Sequence, residues 1–185
     1  MKYLSHINNL IYFIKLKILK AYDFKLLAQI REYKKPYSYY WRYAYYCYKS
    51  NKTLLKNDDA TVPISPMNEI LFFKNLEFNA EDIRIFGGFG KYFQCFGHIK
   101  IGRGTYIANN VAIITSNHNF YNLKEHQEPN PVTIGDNCWI GINSTILPGV
   151  HLGNNVIVGA GSVVTKSFGD KCIICGNPAK LLRKL

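Results

Sequence analysis

From Ile101 to Phe168 the chain returns to an aliphatic residue every six positions. The leading residues are Ile101, Ile107 and Ile113, then, after an interruption, Ile134, Ile140, Ile146, Leu152, Val158 and Val164. The fifth position is mostly small or β-branched, as at Thr105, Val111, Cys138, Ser144, Val150, Val156 and Ser162. Neither the 3.6-residue period of an amphipathic helix nor plain strand alternation produces this spacing. A six-residue repeat predicts a parallel β-helix, in which short strands stack coil on coil. The aliphatic side chain then fills the interior and the small residue lets the chain turn a corner. Counting back by sixes from Ile101 reaches Cys95, Phe89 and Ile83, which predicts one degenerate coil before the regular ones. Phe86-Gly-Gly-Phe-Gly90 distorts it, because glycine permits positive φ and close backbone approach.

Ahead of the repeats the period changes. Leu4, Ile7, Ile11, Ile14 and Ile18 fall at three- and four-residue steps, which predicts helix over residues 2–33. Apolar residues nearly encircle this segment, with Lys15, Lys17, Lys20 and Lys25 interrupting them, so it has to be covered. Packing on the β-helix or on another subunit is the favoured reading, since buried amphipathic helices are the commoner outcome. A membrane surface, with the lysines towards anionic lipid, is the alternative. Pro36 suits the first position of a second helix. That helix would carry a tyrosine-rich stretch including Tyr37, Tyr39, Trp41, Tyr43 and Tyr48, residues suited to interfaces, headgroup boundaries or sugar-binding walls. Residues 51–66 are polar, with Pro63 and Pro66, and read as a linker. The expected organisation is a helical region and linker over 1–66, a β-helix over 67–170 and a C-terminal tail over 171–185.

At 185 residues and 48% hydrophobic content the chain suits one domain with a small appendage. Its net charge of +11 is spread along the sequence rather than clustered. That argues against a nucleic-acid groove and for anionic small molecules or lipid headgroups. The five cysteines are odd in number, and Cys95 and Cys138 fall on interior positions, where a thiol behaves as a small hydrophobe. Cys172-Ile-Ile-Cys175 stands without a second pair, short of the four ligands of a structural zinc site, so no metal is expected. Free thiols fit a cytoplasmic location. The apolar run Leu10–Ile14 is broken at Lys15, so neither a secretory signal nor a span of roughly 20 apolar residues is expected.

The two phased blocks are separated by Asn119–Thr133, NFYNLKEHQEPNPVT. A polar insertion that leaves a regular scaffold and returns in phase usually carries function. His118 stands at its root, and imidazole is the side chain best suited to general-base chemistry near neutrality. His126 lies within the loop, within reach of an acceptor. His98 and His151 occupy outward repeat positions, and His6 reads as structural.

The block ITSNH ending at His118, the run VTIGDNCWIGINSTILPGVHLGNNVIVGAGSVVTKSF and the segment GNPAKLLRKL resemble the hexapeptide-repeat acyltransferases. The likeness is greatest to the galactoside/maltose O-acetyltransferase branch and to capsule and O-antigen O-acetyltransferases. It covers residues 101–185 well, 83–100 loosely and 1–82 hardly at all. The resemblance implies a left-handed β-helix and a homotrimer with its sites between neighbouring prisms. It also implies acetyl-CoA lying along the prism, its thioester near His118, and direct transfer to a sugar hydroxyl with His118 as base. Family contacts to acetyl-CoA carry over to Ala160, Thr165, Lys166, Lys180 and Arg183. The position after W-I-G, serine in the galactoside branch, is Ile142, so a backbone N–H near Gly141 or Ile142 would have to hold the oxyanion. Acceptor-binding positions fall on Gly88 and Phe96, neither of which hydrogen-bonds a sugar through its side chain. The expected acceptor is therefore a surface polysaccharide or its precursor rather than a simple galactoside. N-acetylation of an amino-sugar nucleotide and a non-catalytic β-helical binding protein are the competing readings.

Overall fold

The computed structural model describes residues 2–36, 38–54, 57 and 59–185, and the side chains of all of these except residues 2–4, 18 and 39. The first strands are β1 (Glu69–Leu71), β2 (Leu76–Glu77), β3 (Tyr92–Gln94), β4 (Ile99–Ile101), β5 (Tyr106–Ile107), β6 (Ala112–Ile114) and β7 (Val132–Ile134). They are followed by β8 (Trp139–Ile140), β9 (Thr145–Ile146), β10 (His151–Leu152), β11 (Val156–Val158), β12 (Val163–Val164), β13 (Cys172–Gly176) and β14 (Ala179–Lys184). They form three sheets: face A is β1-β3-β6-β9-β12, face B is β2-β4-β7-β10, and face C is β5-β8-β11-β13-β14. From β3 to β12 consecutive strands fall on successive faces, and neighbours on each face pair in parallel up to β13. The chain therefore winds as a three-sided parallel β-helix, as the six-residue period predicts.

Register fixes the coil length. Ile134 pairs with Leu152, Ile140 with Val158 and Ile146 with Val164, each eighteen positions on, or three hexads per coil. Across the insertion, Ile101 pairs with Ile134 and Ile113 with Ile146, thirty-three positions on. The loop thus adds residues at one corner without disturbing the phase. All nine leading residues are at most 3% exposed, and the small fifth-position residues are buried beside them. Burying aliphatic side chains in stacked layers is the main source of stability in such a prism.

The corners rest on a feature of the fourth hexad position. Gly104, Asn110, Asn137, Asn143, Gly149, Asn155 and Gly161 all adopt φ between 54° and 78°. A β-carbon makes that left-handed conformation costly, and glycine and asparagine tolerate it best. Close stacking constrains the second position as well: a β-carbon on Gly135 would stand 2.5 Å from the carbonyl oxygen of Gly153.

Five expectations change. In the degenerate first coils the phase slips, so Phe89 is exposed and Phe93 takes the buried position. The 3-10 segment Ala80–Phe86 replaces a strand there and buries Ile83, Ile85 and Phe86. The helix expected over 2–33 is broken into α1 (Lys2–Ile18) and α2 (Phe24–Leu27), followed by a 3-10 turn at Arg31–Tyr33. Lys20 adopts φ 48° between the helices, and Asp23 caps α2 by accepting the N–H groups of Lys25 and Leu26. The second long helix, α3 (Tyr39–Leu54), begins after Pro36 rather than on it. The expected linker over 51–66 divides: its start belongs to α3, and its end is packed, with Val62 and Ile64 fully buried. The expected tail is structured too, since β13 forms the last parallel rung of face C and β14 folds back antiparallel upon it.

Helices α1 and α3 pack on each other and, through residues 62–64, on the first coil, so that one continuous core runs from Leu16 to Ile174. Trp41 is its aromatic centre, with Phe13, Tyr33 and Phe24 at 4.8, 5.0 and 5.4 Å between ring centroids. Tyr37 lies outside the described residues. The expectation that the first helix packs is met on one side only: Leu16 is buried, while Ile7, Leu10, Ile11 and Ile14 are exposed.

Candidate functional site

The insertion leaves face A after β6 and rejoins face B at β7, so it projects from the A–B corner. Buried polar groups anchor its root. The Thr115 hydroxyl donates to the Gln94 carbonyl, and the Gln94 side-chain oxygen accepts the Ser116 N–H at 2.9 Å. The Ser116 hydroxyl in turn donates to the Gln127 carbonyl at 2.7 Å. Backbone bonds from Gln127 to Asn117 and from Asn119 to Glu125, 2.8 and 2.9 Å, zip the arms into an antiparallel ribbon.

This ribbon sets His118 directly opposite His126. Residues opposite each other in an antiparallel pair project to the same side. The two imidazoles accordingly lie with centroids 4.3 Å apart and ring planes 34° from parallel. Phe96 meets His126 edge-on at 4.8 Å, and Phe72 meets Phe96 at 5.3 Å. An aromatic row thus runs from Phe72 to an exposed His118. The row presents alternating ring faces and edges beside His118, and its end offers an imidazole nitrogen. At the loop tip Phe120, Tyr121 and Leu123 are 78%, 99% and 72% exposed.

The other histidines stand elsewhere. His98 and His151 are exposed as expected; His98 faces Glu77 at 3.6 Å and His151 contacts the Thr133 hydroxyl, both on face B. His6 is exposed on α1.

The residues expected around acetyl-CoA divide between two corners. Thr165 and Lys166 follow β12 at the A–B corner, the corner of the loop and His118. Gly141, Ile142 and Ala160 lie at the C–A corner, where Gly161 N–H donates to the Ile142 carbonyl at 2.8 Å. Lys180 pairs with Cys175, placing it beside that same corner, whereas Arg183 pairs with Ile173 on face C. The two corners are opposite edges of face A. A face of six residues spans at most about 20 Å of extended chain. On one chain His118, His126, Thr165 and Lys166 therefore share one corner, with β12 two rungs beyond β6 on face A, while Ile142, Ala160 and Lys180 lie along the other.

Gly141 cannot present its amide, because its N–H donates to Val158 at 2.9 Å. A β-carbon there would stand 2.7 Å from Ala160 nitrogen, so coil stacking alone requires glycine at this position. Ile142 is exposed beside it, and Gly161 has open space where a side chain would project. Burial pushes the Cys95 thiol up to about 12, as befits a core residue. Cys172 points inward and Cys175 outward on β13, so the C-x-x-C thiols face opposite sides of one strand.

Nothing in the sequence shows that His126 meets His118, nor that Gln94, Thr115 and Ser116 anchor the root of the loop. These contacts follow from a cross-ribbon register that no repeat period encodes. The tyrosine-rich helix lines a cavity of about 230 Å³ with Pro63, Ile83 and Arg84 where the helices meet the first coil, and His118 is not part of it. No helix among the described residues is long and apolar enough to cross a membrane.

Comparison with known proteins follows this division of the chain. Residues 131–166 match the family described as the hexapeptide repeat of succinyl-transferase. The galactoside O-acetyltransferase of Escherichia coli K12 is 37% identical over 90 residues, covering 47% of this chain and 44% of that protein. WbbJ of the same strain, provisionally named a lipopolysaccharide-biosynthesis O-acetyltransferase, is 38% identical over 101 residues, covering 46% of this chain and 50% of its own. A solved galactoside acetyltransferase in complex with coenzyme A superposes with a TM-score of 0.57 at 28% identity, covering 65% of this chain and 60% of that one. The chain spans about half the length of the curated relatives it matches.

Proposed function

We infer that this chain, whose repeats are those of the hexapeptide-repeat acyltransferases, transfers an acetyl group from acetyl-CoA to a sugar hydroxyl. The acceptor is a surface polysaccharide or its precursor. The observation that carries the reading is His118, exposed at the root of the one long insertion and flanked by the His126–Phe96 wall. The hydroxyl oxygen of the acceptor attacks the thioester carbonyl carbon while a His118 ring nitrogen takes the hydroxyl proton. As the tetrahedral intermediate collapses, the C–S bond breaks, the sulfur keeps the electron pair, and the imidazolium returns the proton to it. The ester stays on the sugar, and no covalent enzyme intermediate is required.

An oxyanion forms on the way and needs a donor. With Gly141 N–H engaged, that role passes to the amide of Ile142. The Ala160–Gly161 edge, open above the backbone, accommodates the pantetheine arm, and Lys166, Lys180 and Arg183 supply charge for the phosphates. His118 and Lys166 stand at one edge of face A and Ile142, Ala160 and Lys180 at the other, so completing a site calls for a second copy. That requirement supports a trimer of left-handed prisms, in which the A–B corner of one chain meets the C–A corner of the next. The exposed apolar tip of the loop, Phe120 to Leu123, would be covered in the same contact.

The test is an acceptor screen on the purified protein, following CoA release and the mass of the product. Acetylation of hydroxyl-bearing glycans supports the reading. Turnover confined to amino sugars makes the enzyme an N-acetyltransferase, and failure to bind acetyl-CoA leaves a non-catalytic binding protein.

A further inference from the structure

We propose that α1 docks the protein in the plane of an anionic lipid surface. The helix turns by about 100° per residue, so Ile7, Leu10, Ile11 and Ile14 share one face. All four are at least 40% exposed. Leu16, which is fully buried, and Asn9, which is nearly so, lie on the opposite face, with Tyr12 and Phe13 packed against the core beside them. The core-facing side is therefore already used, and the apolar stripe points away from the protein.

Charge identifies the occupant. On the same helical wheel Lys15 and Lys17 border the stripe on its two edges, and Lys20 follows at the helix end. No Asp or Glu occurs before Asp23. An apolar stripe bordered by Lys15 and Lys17, with no carboxylate on the helix, matches a bilayer surface, with the stripe among the acyl chains and the ammonium groups at the phosphates. Symmetric pairing of two copies through this face would instead set lysines against lysines with no carboxylate on the helix to answer them. At 17 residues α1 is too short and too charged to span a bilayer, so it lies along the surface. Such docking would hold the acceptor site near lipid-borne substrates, but the inference stands on α1 alone and does not depend on the acetyl-transfer reading.

The experiment is co-sedimentation of the full-length protein with vesicles of phosphatidylcholine alone or mixed with phosphatidylglycerol. Binding to the mixed vesicles is expected, weakening about fivefold for each of Lys15→Gln and Lys17→Gln and falling as salt is raised. Ile11→Ser/Ile14→Ser should abolish binding while melting temperature, oligomer mass and turnover of a soluble acceptor stay unchanged, because neither side chain belongs to the core or the site. Absence of binding to the mixed vesicles would overturn the proposal, as would binding that the double variant retains. A double variant with altered oligomer mass would also overturn it, by making the stripe a contact between copies.

Discussion

His118 and His126 are set opposite each other by one register of an antiparallel ribbon. If His118 is the base, His126 is placed to fix the plane of its ring. Removing it by His126→Ala should lower kcat by roughly ten- to a hundredfold, the scale of small misplacements of a catalytic group, with the KM for acetyl-CoA unchanged. His126→Phe should restore most of the rate, because it keeps a packed ring without a proton. A different split belongs to the phosphate contacts. Lys166→Ala and Arg183→Ala should raise the KM for acetyl-CoA and leave kcat near that of the parent, since ground and transition states gain equally from a phosphate contact. Steady-state kinetics with varied acetyl-CoA read both outcomes. The place of His118 at the root of the insertion was legible in the sequence because a regular phase is interrupted there. Its neighbour was not, because the pairing of residues 118 and 126 follows from the hydrogen-bonded register of the loop rather than from any spacing.

At the scale of the strand and its corner, the hexad is a rule about backbone as much as about burial. Asn143 holds φ 59° at a corner between faces C and A. Asn143→Gly should therefore leave stability nearly unchanged, whereas Asn143→Val should cost about 1–2 kcal/mol. Gly135→Ala meets a carbonyl oxygen 2.5 Å away that belongs to the next coil, so it should lower the melting temperature more than a surface Gly→Ala change. Thermal unfolding followed by circular dichroism compares all three. The aliphatic positions announced themselves because each coil needs one at a fixed phase on every face. The helical region was harder to read. Its break depends on a single left-handed residue, Lys20, and the burial of Val62 and Ile64 occupies too short a run to show a period.

For the molecule as a whole, the proposed site draws on groups at opposite edges of face A and so calls for more than one copy of the chain. The solution species should have three times the mass of the chain by light scattering. Phe120→Ser/Leu123→Ser, which removes exposed apolar surface at the loop tip, should shift that mass downward and lower activity together. Whether His118 is the base for acetyl transfer is decided by CoA release from the His118→Ala protein beside the parent, on the same acceptor. A base at His118 means a loss of about 10²–10⁴-fold in kcat, with acetyl-CoA binding, measured by calorimetry, and oligomer mass both retained. A His118→Ala protein that turns over at the parental rate would contradict it.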